Sequence, residues 1–141
     1  MSKDLGLTSQ PLTNLFPQPE SIEEWTSYCL TEDQLLEFQE KGFIHGIKVL
    51  NYDQLEVIRK ELSEIVFPEH EGREFFYEYH SNESTIPEKV LFHALGAWRV
   101  RKAFHDILWN PAFVMPAYQL LGSSFRFFHD QIFCKPAYHG S

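Results

Sequence analysis

The sequence is short of cysteine, of basic side chains and of long apolar runs, and each shortage excludes a class of protein. Two cysteines, Cys29 and Cys134, are too few for a disulfide framework and lack the paired spacing of a zinc site, which leaves them as buried free thiols. Only 12 Lys and Arg face 20 Asp and Glu, for a net charge of −8 with histidine neutral. That is the wrong sign for tracking a phosphate backbone, so nucleic acid is not expected as a partner. No stretch approaches the roughly 18 apolar residues of a membrane span, and the first residues carry no basic segment leading into an apolar one. These features predict a soluble, cytoplasmic chain. The sequence also has no glycine-rich phosphate loop, no Gly-x-Ser-x-Gly, no His-Glu-x-x-His and no Cys-x-x-Cys, so residue chemistry alone completes no active site.

What the chain does have is large flat side chains: 13 Phe, 6 Tyr and 3 Trp with 7 His, in a composition that is 43% hydrophobic. Its 141 residues are a single-domain length with enough apolar surface for a core. An aromatic supply of this kind goes into broad cores or hydrophobic pockets.

Residues 1–20, with Pro11, Pro17 and scattered Ser, Thr and Asn, read as an irregular arm, with order beginning near Ser21. Ser21 with Glu24, and Thr31 with Gln34, have the spacing of capping boxes that start two helices, the second stopping at Gly42. Residues 43–49 are β-prone and read as a short strand. A further helix starts at Asn51 or Asp53 and carries Leu55, Ile58, Leu62 and Ile65 at helical spacing before Pro68. Residues 68–87 form an acidic loop with one extended piece, either a solvated connection or a lid over a pocket. Residues 88–109 return to helical spacing through Val90, Leu91, Leu95, Trp98, Phe104, Ile107 and Leu108, with a break near Gly96. This places His93 and His105 on helix as hydrogen-bonded histidines. Asn110 and Pro111 open a last helix that ends at Gly122, and Pro116 should kink or split it.

From residue 125 to 135 the period changes to two. Phe125, Phe127, His129, Gln131, Phe133 and Lys135 share one face, and Arg126, Phe128, Asp130, Ile132 and Cys134 the other. Both faces are mixed, as in a strand with one side lining a pocket. Such a strand pairs with residues 43–49, or the chain is cut off inside a sheet and leaves a strand edge open to association. His129 and Asp130 are ligand types of a facial iron triad, but strand neighbours point to opposite faces and cannot close on one ion. No metal ligand and no catalytic residue is assigned. The fold expectation is α+β: an arm over 1–20, a helical region over 21–122 and the start of a sheet domain over 123–141.

The order of these elements resembles the N-terminal half of the phytanoyl-CoA dioxygenase family. The matching residues are Leu30-Thr31, Gln34, Phe38 and Gly42-Phe43, then Ala97-Trp98-Arg99 with Phe104, Leu120-Leu121-Gly122, and the stretch from Phe128 through Gln131 to Lys135-Pro136. The resemblance covers residues 30–141. It implies that the helical region leads into the first strand of a double-stranded β-helix, a jelly-roll barrel. That barrel holds Fe(II) through His-x-Asp and a distal His, binds 2-oxoglutarate, and hydroxylates a C–H bond of a small-molecule substrate. In the family the His-x-Asp pair follows the Lys-Pro stretch, so the triad would lie beyond Ser141, and this chain should bind neither group tightly nor turn over. By the same resemblance Gln131 and His93 lie against 2-oxoglutarate and Lys135 braces the turn toward the iron ligands. The plainer alternative for all three is polar groups at a sheet edge or pocket rim. A reading from another class also fits the sequence: a free-standing helical binding module whose aromatic surface holds a protein partner or an apolar ligand.

Overall fold

Helices form where the sequence supplies caps. The computed structural model describes residues 3–86 and 89–137; Pro87, at the end of the expected acidic loop, and residues 138–141 of the expected sheet domain lie outside them. The first helix, α1 (Ile22–Thr26), starts at Ser21, whose hydroxyl accepts the Glu24 N–H at 3.1 Å. Both α2 (Glu32–Lys41) and α3 (Tyr52–Ile65) carry complete capping boxes, Thr31 with Gln34 and Asn51 with Gln54, which satisfy N–H groups that no helical carbonyl reaches. A left-handed Gly42 with φ +76° ends α2. The short α4 (Lys102–Asp106) has no cap of its own; Glu61 on α3 supplies one, accepting the Ala103 N–H at 2.8 Å. Asn110 opens α5 (Pro111–Leu121), accepting from Ala112 and donating to the Val49 carbonyl. That helix runs through Pro116 without splitting.

Strands β1 (Glu78–His80), β2 (Phe92–Leu95) and β3 (Gln131–Cys134) form an antiparallel sheet in the order β1-β2-β3. Its inner face, with Tyr79, Phe92, Ala94, Ile132 and Cys134, packs on Ile65 and Leu62 of α3 and on Ala97. The Tyr79 hydroxyl lies 2.9 and 3.2 Å from the Ile65 and Val66 carbonyls, so β1 is tied to helix-end carbonyls that need a donor.

The architecture is α+β, and several local expectations give way. Residues 43–49 form no strand; β3 pairs with β2, in a stretch whose spacing predicts helix. Val90, Leu91 and Leu95 satisfy a helical template, but a short apolar run fits a buried strand equally well, and Gly96 at φ +102° turns the chain out of it. Helical structure then resumes in the 3-10 turns Ala97–Arg99 and Ile107–Trp109 on either side of α4. The two-residue period of 125–135 becomes a ladder only from Gln131. Cys29 and Cys134 are free but half-buried rather than buried.

Order also begins before Ser21. Leu5–Leu7 is a 3-10 turn, Phe16 is buried, and Asp4 is ion-paired with Arg99. The Leu12 and Thr13 N–H groups donate to Asp106, and the Thr8 carbonyl meets His105. A polar composition predicts a loose arm, whereas buried acceptors on α4 pin it. No helix among the described residues is long and apolar enough to cross a membrane.

Candidate functional site

Alternate residues of paired strands share a face, so the outer face of the sheet gathers Glu78 and His80 from β1, His93 from β2, and Gln131 and Phe133 from β3. The register sets His80 opposite His93 and His93 opposite Phe133. Their rings stack: His80 on His93 at 5.7 Å and 12°, His93 on Phe133 at 4.4 Å and 7°. His93, in the middle, is 5% exposed. Gln131 Nε2 donates to His93 Nε2 at 2.9 Å, and a ring nitrogen that accepts leaves the proton on Nδ1. Nδ1 is 2.7 Å from Glu83 Oε2, a charge contact that lacks the alignment of a hydrogen bond and leaves this nitrogen buried without one.

The structure therefore brings together two of the three residues singled out from the sequence, His93 and Gln131. His93 stands on the central strand, not on a helix. Lys135, just past β3, is exposed and makes no hydrogen bond or ion pair with either. Sequence reasoning missed Glu78 and His80, which with His93 offer ligand atoms all within 4.8 Å of one another. The signal was the Glu78-x-His80 spacing, which puts two ligands on one strand face, but it sits in a stretch read as loop, and its partner is known only from the register.

Asp130 serves the backbone. Its carboxylate accepts the Gly96 and Trp98 N–H groups at 2.8 and 3.0 Å, bracing the turn after β2. Burial pushes its carboxyl up against those two bonds. Beside it, α4, α5 and residues 125–127 enclose an apolar groove of about 350 Å³, lined by Phe104, Ile107, Leu108, Phe113, Val114 and Phe127 among others. His105 is a core histidine: Nδ1 is 2.9 Å from Asp106 Oδ1, Nε2 is 3.1 Å from the Thr8 carbonyl, and its ring lies between Trp98 and Trp109.

No protein-family model matches the chain, and no curated protein matches it. A functional reading accordingly rests on the chain's own residues.

Proposed function

We propose that this chain is the N-terminal part of an Fe(II)/2-oxoglutarate-dependent dioxygenase of the phytanoyl-CoA dioxygenase type, with β3 as the entry to its jelly-roll barrel. The observation that carries the reading is the contact between His93 and Gln131. These positions, 38 apart in sequence and both implicated in cosubstrate binding by resemblance, meet at 2.9 Å on one sheet face. Two further features support it. As the outer strand of the order β1-β2-β3, β3 leaves one edge unpaired among the described residues, and Phe128, 87% exposed just before β3, and Phe133, exposed on it, add apolar surface. Surface of this kind calls for a covering layer.

The donors suit an oxygen-rich ligand. The Gln131 amide donates, and the His93 Nδ1 proton has no aligned acceptor; Glu83 would have to swing off Nδ1 to admit a dianion. Iron and 2-oxoglutarate, when bound, would activate dioxygen, the oxidant of the hydroxylation, with 2-oxoglutarate converted to succinate and carbon dioxide. The residues here do the orienting: Phe133 holds the His93 ring flat, and Gln131 fixes which nitrogen is protonated. The iron triad belongs to sequence beyond Ser141.

The test starts with the coding sequence read in frame past codon 141, where a His-x-Asp followed later by His and Arg is expected. A protein extended to include them should release succinate from 2-oxoglutarate with Fe(II). Gln131→Ala should raise its KM for 2-oxoglutarate about tenfold, the effect of losing one hydrogen bond to a charged group. A stop at codon 142, or an extended protein that ignores 2-oxoglutarate, sinks the reading.

A second reading, a binding module for an apolar ligand, is favoured by the groove beside Asp130. It expects the 141-residue chain to unfold cooperatively and to take up an apolar fluorophore that Val114→Glu excludes.

A further inference from the structure

The geometry points to a divalent-cation site of the zinc class on the outer sheet face, built by Glu78, His80 and His93. It is distinct from the iron triad of the dioxygenase reading and does not depend on that reading.

Two imidazoles and a carboxylate are a donor set suited to zinc and its neighbours, and three protein ligands leave a fourth position open for water or substrate. The backbone sets their spacing. His80 and His93 are directly opposed across the β1–β2 ladder, where Cβ atoms stand about 4.5–5.5 Å apart. Glu78 projects from the same face two residues earlier, and ligand atoms of all three lie within 4.8 Å of one another. Ligands bonded to zinc at about 2.0–2.2 Å stand closer than that, so the site has to contract.

The partners differ in their freedom to do so. His93 is the fixed member, buried and stacked on Phe133. With Glu83 on Nδ1, its ligating atom is Nε2, so the Gln131 amide that donates to this nitrogen in the metal-free chain has to turn aside when the cation enters. His80 and Glu78 are the movable ones, with side chains 48% and 56% exposed. The near-parallel rings of His80 and His93 keep their lone pairs in separate planes, so closure requires His80 to rotate out of the stack. Glu83, against His93 Nδ1, adds a second carboxylate that favours a dication, and a small rotation that aligns it with Nδ1, which has no hydrogen bond in the metal-free chain, would make it the orienting partner of a ligating histidine.

The experiment is calorimetric titration of the 141-residue chain with Zn(II) at neutral pH, repeated with Co(II) for its visible spectrum. One equivalent should bind, with the absorption of a tetrahedral nitrogen-and-oxygen site and without the near-ultraviolet band of a cysteine ligand. His80→Ala and Glu78→Ala, at exposed positions that leave the core untouched, should each weaken Zn(II) at least about tenfold, the lower end of what losing even an outer-shell partner costs. His45→Ala, at an exposed histidine away from the sheet, should leave binding unchanged. Zn(II) binding that survives His80→Ala, or no saturable binding below millimolar metal, overturns the proposal. Succinate release by the extended protein reports on the dioxygenase reading alone, so either idea fails without the other.

Discussion

Thr13 gives both its N–H and its hydroxyl to the same carboxylate oxygen of Asp106, at 2.7 and 2.6 Å. The other oxygen takes the Leu12 N–H and the His105 ring. Burial pushes this carboxyl up, but the bonds from Thr13, His105 and Leu12 outweigh it, and the carboxyl ends below the usual aspartate value. Asp106→Asn should therefore cost about 2–3 kcal/mol in urea unfolding at neutral pH. A carboxyl depressed by folding contributes stability that is present above its unfolded pKa and is lost as pH falls toward the folded one. The gap between wild type and variant should accordingly shrink below pH 3.8, the ordinary value; a gap constant with pH would remove Asp106 as the anchor.

Asp130 has the opposite sign. Burial raises its carboxyl above 3.8 despite the Gly96 and Trp98 N–H groups, so its contribution is complete below the unfolded pKa and fades as pH rises through the folded one. Asp130→Ala, which orphans two N–H groups, should cost about 2 kcal/mol, and the deficit should be largest in acid. Unfolding midpoints of the two proteins across the acid range check this.

Glu61 caps a helix that is not its own. Burial pushes its carboxyl up against the Ala103 and Phe104 N–H groups, so a neutral acceptor should serve nearly as well. Glu61→Ala should cost about 1 kcal/mol, the usual loss of a cap, and Glu61→Gln clearly less. Equal losses in thermal melts would mean that charge, not hydrogen bonding, is what α4 needs.

Two left-handed glycines separate conformational cost from crowding. At Gly42 an added Cβ meets nothing within 4 Å, whereas at Gly96 it meets Tyr77 Cδ2 at 3.1 Å and the Tyr77 nitrogen at 3.2 Å. Gly42→Ala should cost about 1 kcal/mol, the backbone penalty alone. Gly96→Ala should cost more by equilibrium denaturation, because the backbone at Tyr77, leading into β1, must also move.

The parts of the fold legible in the sequence are those decided within one helical turn. Thr31 with Gln34, and Asn110 with Pro111, announce their helices because the capping groups are neighbours in the chain, and the start at Asn51, left open against Asp53 in the sequence, is settled by its box with Gln54. The run Phe92–Leu95 does not announce its state, because its partners at Glu78–His80 and Gln131–Cys134 decide it. The same limit governs the site. Gln131 and His93 were reachable only through a resemblance, and Glu78 and His80 become ligand candidates once the register sets them beside His93. Nothing local marks Asp106, since three of the four hydrogen bonds to its carboxylate come from Leu12 and Thr13, 94 and 93 residues away.

That distance also fixes an order of events. As the chain emerges from the ribosome, Leu12 and Thr13 are made before α4 and wait for it before they have a buried anchor. Closing so long a loop is slow, because its entropy is spent before the contacts reward it. A nascent chain that has not yet reached Asp106 lacks the carboxylate that holds the Leu12 and Thr13 N–H groups, so this contact joins the fold only after α4 is made.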